Sequence, residues 1–266
     1  HKLGILAQIL PEIEEGVHVK QNGEHIYDVW EHTLRVLQHA ADKGWDLDIR
    51  LASLFHDVSK PETRRFSKEK NDWTFHGHEV VGARVTKKAL EDLRFSRETI
   101  EKITKLVRWH MFFSDPEQIS LSAVRRMITN VGEENIWDLL NLRICDRIGT
   151  GRPKEQPFRF RKYVAMVEQA LRDPISVKML KIDGMKLMEV LCEPAGRRIG
   201  AILHALFDEV LEDPTNNTEE KLIEMAKKFA ELPDIALFAK GEEGKVSKNR
   251  KEDEELKEIR NKYNVK

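Results

Sequence analysis

His32, the adjacent pair His56-Asp57, His78, His110 and Asp146 are the residues of this chain whose types and order could do metal chemistry. Imidazole nitrogen and carboxylate oxygen together suit first-row divalent cations, and four histidines with two aspartates can hold either one ion or a close pair. A cation held this way lowers the pKa of a water molecule and offsets charge on phosphate oxygens, so the reaction it suits is hydrolysis of a phosphoester. The expected arrangement places His32, His56, Asp57 and Asp146 around one ion, with His78 and His110 taking a second ion bridged by Asp57 or orienting the substrate. Lys60, one turn after His56, and Arg147, beside Asp146, are candidate phosphate clamps and complete the expected catalytic set with Asp57. Each could instead be a surface charge.

The elements that must bring these residues together are helices. Ile49 to Val58 reads as a short helix: Leu47, Leu51, Leu54, Phe55 and Val58 fall at helical spacing, Asp46 or Asp48 can cap the start, and Lys60-Pro61 stops it. Asp57 then lies in the last turn, where aligned peptide dipoles disfavour a carboxylate unless a cation compensates it. A metal ion would remove that conflict, and so would a plain ion pair with Lys60. His32 belongs to a helix whose Ile26, Val29, Trp30, Leu34, Leu37, Ala40 and Ala41 make an apolar face. His110 ends the stripe Ile100, Ile103, Leu106 and Val107 of a helix that Ser96 can cap. Taken singly, a histidine on such a stripe is a hydrogen-bonded core residue more often than a ligand. The conjunction is what points to an ion.

His78 opens a helix in which Gly82 would let another backbone come close, and His76 competes for its role. Asp146 sits near the end of a helix carrying Ile136, Leu139, Leu140, Ile144 and Ile148, which breaks at Gly149-Thr150-Gly151. His18, His25, His39 and His204 fall outside the pattern and read as ordinary surface or partly buried histidines.

Helical periodicity dominates elsewhere, with one exception. In Thr63 to His76, Phe66, Trp73 and Phe75 flank Glu69 to Asp72, which could form a short hairpin beside the metal site. Helices are expected over 78–93, 97–113, 121–131 and 134–148. After a joint at Pro153 to Pro157 come helices near 158–172, 183–191, 197–212 and 217–231. Residues 240–266 alternate basic and acidic side chains without an apolar stripe, as a solvated helix or mobile tail would. The opening HKLGILAQILPEIEE, with Leu3, Leu6, Ile9 and Leu10, reads as the end of a helix begun upstream.

With 266 residues the chain can bury a full core in one or two domains. Its 45 basic and 46 acidic side chains leave a net charge of −1, so any contact with nucleic acid must come from a local patch. Arg143 to Tyr163 is the best such patch. Arg143, Arg147, Arg152, Lys154, Arg159, Arg161 and Lys162 outnumber Asp146 and Glu155, and Phe158, Phe160 and Tyr163 interleave with them. Basic side chains neutralise phosphates and aromatic faces stack on unpaired bases; alternatively the aromatics turn into the core of a solvated helix. Arg197-Arg198, after Pro194-Ala195-Gly196, could bind phosphate at a helix start or be merely exposed. Cys145 and Cys192, both on apolar helical segments, read as small core residues rather than a disulfide framework. No apolar run of the length of a membrane span and no signal peptide are evident.

The ordered set His32, His56-Asp57, His78, His110 and Asp146 reproduces the motif of the HD superfamily of metal-dependent phosphohydrolases, which this chain resembles. YDVWEHTLRVL, LASLFHDVSKPETR, FHGHEVVGA, LRFSRETIEKITKLVRWHM and RICDRIGTGR are similar to the HD region of bacterial CCA-adding tRNA nucleotidyltransferases. IDGMKLMEVLCEPAGRRIGAILHALFDEVLED is similar to the helical tRNA-binding part that follows it in those enzymes. The resemblance implies an all-α fold: an HD-type helical bundle with a small β-hairpin over residues 1–152, a smaller C-terminal helical unit over 153–237, and a charged tail over 238–266. The family's polymerase head, with its Gly-Ser and Asp-x-Asp, is not represented. Asp46-Leu47-Asp48, the one Asp-x-Asp, precedes a helix and better serves as a cap, so nucleotide addition is not expected from these residues alone.

The resemblance further implies one or two divalent ions (Mn, Co, Ni, Fe, Zn or Mg) as cofactor, and phosphomonoesters or 2′,3′-cyclic phosphates, such as damaged RNA ends, as substrates. The expected partners are tRNA or a phosphorylated nucleotide and a polymerase head encoded upstream; the expected setting is the cytoplasm, with no membrane. Three functions stay open: a phosphohydrolase attached to tRNA metabolism, a tRNA-gripping body whose metal centre is idle, and a stand-alone nucleotide phosphatase.

Overall fold

The fold was obtained as a computed structural model that describes residues 1–23, 25–112, 115–174 and 176–246, with side chains to residue 241. It is all-α apart from one antiparallel hairpin, and it divides into two compact units, residues 1–114 with 131–161 and residues 115–130 with 162–266. The helix at 121–131 therefore groups with the later helices, although the sequence suggested a single joint near Pro153.

The first unit opens with two one-turn helices, α1 (Leu6–Ile9) and α2 (Pro11–Glu14), instead of the end of one longer helix. Pro11 sets the break, because the residue before a proline is pushed out of the helical region, and Leu10 adopts φ −143° and ψ 66°. Next come α3 (Val29–Asp42), α4 (Leu47–Phe55), α5 (Lys60–Thr63), the strands β1 (Arg65–Ser67) and β2 (Asp72–Thr74), α6 (His78–Asp92) and α7 (Arg97–Trp109). Three starts are fixed by side-chain caps: Asp28 accepts from Glu31 N at 2.7 Å, Asp46 from Ile49 N at 3.2 Å, and Ser96 from Thr99 N at 3.1 Å. Ile26 precedes α3 and is 70% exposed, so the apolar face of that helix starts at Val29.

α4 stops at Phe55, so Asp57 lies beyond the helix in a turn rather than in its last turn. Adjacent side chains on a helix diverge by about 100°. His56 and Asp57 can face one point only because the chain leaves the helix, through the turn bonds Val58 N to Phe55 O (3.1 Å) and Lys60 N to Asp57 O (3.0 Å).

α8 (Leu121–Val131) precedes α9 (Ile136–Gly149), which returns to the first unit and carries Asp146. Val36, Ala40, Ile49 and Cys145 form a buried cluster that fastens α3, α4 and α9 to one another. The second unit adds α10 (Phe158–Ala170), α11 (Gly184–Leu191), α12 (Arg197–Glu212), α13 (Glu219–Ala230) and α14 (Asp234–Val246). Its core gathers Leu187, Ile202, Leu206, Leu222 and Leu237. Arg125 of α8 is buried there, donating to the carbonyls of Leu211 (2.7 Å) and Glu212 (2.9 Å) that α12 leaves unpaired at its end, and to Asp173 (2.9 Å).

Both cysteines are free. Cys145 is buried as expected, whereas Cys192 is exposed, in the left-handed position (φ 50°) that ends α11. The tail expected as a solvated or mobile segment lies largely outside the described residues. No helix among the described residues is long and apolar enough to cross a membrane.

Candidate metal centre

Five elements of the first unit deliver the six expected ligands to one place. His32 comes from the first turns of α3, His56 and Asp57 from the end of α4, His78 from the start of α6, His110 from the end of α7 and Asp146 from the last turn of α9. The four histidines and Asp57 are buried. The carboxylate of Asp57 lies at the middle. Its Oδ2 is 3.2 Å from His32 Nε2 and 3.1 Å from His56 Nε2, while its Oδ1 is 3.3 Å from His78 Nε2 and 3.8 Å from His110 Nε2. Asp146 Oδ1 closes the first group, 3.3 Å from His32 Nε2 and 3.9 Å from His56 Nε2.

The acceptors that face the rings fix their tautomers. His56 Nδ1 faces the carbonyl of Ser53 at 2.9 Å, His78 Nδ1 that of Phe75 at 2.7 Å, and His110 Nδ1 that of Val107 at 2.7 Å. A carbonyl only accepts, so each of these nitrogens donates, and each neutral ring presents its Nε2 as a bare lone pair. The Nε2 atoms of His78 and His110 meet at 3.2 Å and those of His32 and His56 at 3.1 Å, all around a carboxylate that also only accepts. A cation among these lone pairs would relieve their mutual repulsion. Two groups, His32-His56-Asp57 and Asp57-His78-His110, each have donor atoms within 4.8 Å of one another and share Asp57, which fits one ion or a bridged pair.

Electrostatics agree. Burial works against the charge of Asp57, but His56 and Lys60 hold its carboxyl well below the usual carboxylate range. Burial likewise opposes Asp146, and the His32 hydrogen bond with the nearby Arg143 charge draws it well down. His32 is opposed by burial too, yet its contacts with Asp146 and Asp57 raise it to about 9, so a proton on this ring stands in for a cation. His110 is pushed well below the usual imidazole value by burial and by the neighbouring His78 and His56, which keeps it a neutral donor.

Lys60 is buried, with Nζ 2.6 Å from Asp57 Oδ2 and 2.6 Å from Gln21 Oε1, so the ion pair weighed against a metal exists beside the cluster. Arg147 donates from Nε to the carbonyl of Lys154 at 2.7 Å, and Arg143 turns onto Asp146 at 3.1 Å instead of lying open as part of a patch. Of the aromatics expected to interleave with the basic run, Phe160 and Tyr163 are buried and Phe158 is 70% exposed; Arg152, Lys154, Arg159 and Arg161 remain at the surface. In the second unit Arg198 pairs with Glu193 and Asp234 and donates to the carbonyl of Ala230, and Arg197 lies 4.5 Å over the Phe238 ring. Arg198 thus ties helices together instead of presenting a free phosphate site.

Two residues of the site escaped the sequence. His25 stands edge-on to the His32 ring, 5.1 Å between centroids, and Gln21 receives the Lys60 ammonium. Both sit on an irregular segment, where no periodicity marks an inward side chain. Gly82 is the converse: a Cβ there would meet Val107 at 3.6 Å and the His56 carbonyl at 3.8 Å, ordinary contacts, so close approach does not require this glycine. Gly149 does, since a Cβ would fall 2.2 Å from Val36 Cγ2 and 3.2 Å from the His32 ring.

Residues 29–147, which include all six candidate ligands, match the HD domain family, so the chain carries an HD domain there. Over a longer stretch it is similar to a CC-adding tRNA nucleotidyltransferase of Thermus thermophilus, 34% identical across 82% of this chain and 49% of the relative. An A-adding tRNA nucleotidyltransferase of Deinococcus radiodurans is 32% identical across 77% and 48%, and a multifunctional CCA protein of Neisseria gonorrhoeae 28% across 63% and 42%. The chain spans about half the length of the first two of these relatives.

Proposed function

We propose that the first unit is a metal-dependent phosphohydrolase, acting on phosphomonoesters and 2′,3′-cyclic phosphates at RNA ends in tRNA 3′-end processing or repair. The observation that carries the reading is the convergence of the bare Nε2 atoms of His56, His78 and His110 on the two oxygens of Asp57. His32, His56, Asp57 and Asp146 would hold one ion, and His78 with His110 a second or the substrate. A bound divalent ion supplies an activated water and charge neutralisation at the phosphate oxygens. The chain's own residues do the rest. The Ser53, Phe75 and Val107 carbonyls fix three imidazoles in one tautomer, and Arg143 steadies Asp146. Lys60 supplies positive charge beside Asp57, where it can draw in an anionic group, and Arg147 is the second candidate clamp. The names of the relatives support tRNA as the polynucleotide, with Arg152, Lys154, Arg159 and Arg161 as its surface contacts. A polymerase head carried elsewhere in the same protein and a cytoplasmic setting belong to the same proposal.

A second reading has one observation in its favour. The Lys60 pair compensates Asp57 with no ion present, as an idle centre in a tRNA-gripping body would need. Protein purified without chelator decides between them. The phosphohydrolase should contain Mn, Co, Ni or Fe, turn over 2′,3′-cyclic nucleotides and terminal phosphates, and lose that turnover in Asp57→Ala. Inhibition of turnover by tRNA would set it apart from a phosphatase of free nucleotides. Full activity in excess chelator would overturn the proposal.

A further inference from the structure

The hairpin inverts the usual rule for a sheet with one wet side, which turns apolar residues inward and polar ones out. Phe66 and Trp73 are directly paired across β1 and β2, their rings 5.3 Å apart, and they share the outer face: Phe66 is 52% exposed. Ser67 and Thr74 occupy the buried positions. Arg64 lies 3.6 Å over the Trp73 ring, and its Nε makes no hydrogen bond. Lys68 and Lys70, in the turn that follows Phe66, are exposed, and residues 64–76 carry four basic side chains against Glu69 and Asp72. The Asp72 carboxylate is already occupied by the backbone N–H groups of Gly23 (3.0 Å) and Trp73 (2.7 Å).

Three successive residues stitch this face to the metal centre. Gln21 receives Lys60, Asn22 donates to the Trp73 carbonyl at 2.8 Å, and Gly23 donates to Asp72. From the other side, the Phe75 carbonyl that ends β2 fixes the His78 ring. An aromatic face flanked by exposed lysines, joined through these bonds to a candidate site for a terminal phosphate, matches the bases and backbone of an unpaired strand. Resting on the phosphohydrolase reading, we propose that the Phe66-Trp73 face of the hairpin stacks the unpaired nucleobases of a single-stranded RNA 3′ end whose terminal phosphate lies at the Asp57 centre. Lys68 and Lys70 neutralise the phosphates leading to it.

The test separates this surface from the chemistry. A short fluorescein-labelled oligoribonucleotide ending in a 3′-phosphate is titrated by anisotropy onto chelator-treated wild type, Phe66→Ala and the double variant Lys68→Ala/Lys70→Ala, with folding of each checked by circular dichroism. Phe66→Ala should weaken binding by about tenfold or more, the range of one lost stacking contact. The double variant should make the salt slope shallower by about 1.4, as expected for two lost phosphate contacts to a single strand. With metal restored, Phe66→Ala should raise KM for the oligonucleotide cyclic phosphate and leave turnover of the mononucleotide unchanged. Equal binding by Phe66→Ala and wild type, equal losses on blunt duplex RNA, or no oligonucleotide binding by wild type would each overturn the proposal. Absence of any turnover would sink the phosphohydrolase reading while the anisotropy result still decides the surface.

Discussion

Asp57 makes the sharpest claim at the level of single residues, because one buried carboxylate serves two imidazole pairs and a lysine. Asp57→Asn keeps the shape and removes the charge. Without metal it leaves the buried Lys60 ammonium with Gln21 but no carboxylate partner, which should cost about 3–5 kcal/mol, and added Mn or Ni should no longer raise the melting temperature. Wild-type protein should gain several degrees from the same metal; an equal gain in the variant would show that the ion sits elsewhere. His25 supplies a pH signature. Burial, then the charges of Lys60 and His32, lower it from 6.5 to about 4. The unfolded chain binds this proton near pH 6.5 and the folded one only near 4. Stability associated with His25 is therefore complete above 6.5 and drains as pH falls from 6.5 towards 4. Denaturant titrations of metal-free protein across that window should show a decline that is shallower in His25→Gln; identical slopes would refute the assignment. The six residues that converge at this centre were legible because their types and order are chemically narrow. His25 and Gln21 were not, because the fold alone turns an irregular segment onto His32 and Lys60.

At the scale of elements, the helices were largely readable from apolar spacing and caps, as Asp46 and Ser96 show by accepting the N–H groups that open α4 and α7. The misjudged boundary lies where function overrides periodicity. Val58 continues the apolar pattern of α4 and is buried, but from a turn, since a helix could not aim His56 and Asp57 at one centre. Glycines were the other limit, because helical position does not say what stands opposite. Gly149 faces Val36 and the His32 ring at distances no Cβ tolerates, so Gly149→Ala must push α3 and α9 apart or tilt His32. Overpacking of this kind costs about 1–3 kcal/mol, and metal affinity should fall with it. Gly82 sits mid-helix in ordinary contact with Val107 and Val58, so Gly82→Ala should be neutral or stabilise by up to about 1 kcal/mol through helix propensity. Thermal melts of the two variants check the contrast, and a Gly149→Ala protein as stable as wild type would contradict the packing described.

At the scale of the whole molecule, the chain divides its labour between units that can be watched separately. All five tryptophans, Trp30, Trp45, Trp73, Trp109 and Trp137, belong to the unit that holds the metal ligands. Tryptophan fluorescence therefore reports that unit alone, whereas circular dichroism sees helices of both. A divalent metal held at the proposed centre would bind only the folded first unit and should raise the fluorescence midpoint by mass action. The second unit has its own weak point in Arg125, whose guanidinium satisfies two terminal carbonyls of α12 and pairs with Asp173. Arg125→Ala leaves those acceptors without their donor, a loss of about 1–3 kcal/mol. It should pull part of the dichroism transition to lower temperature while leaving the fluorescence midpoint, and its response to metal, in place. If both probes shift together in Arg125→Ala, the assignment of the fluorescence signal to the stability of the first unit alone is refuted.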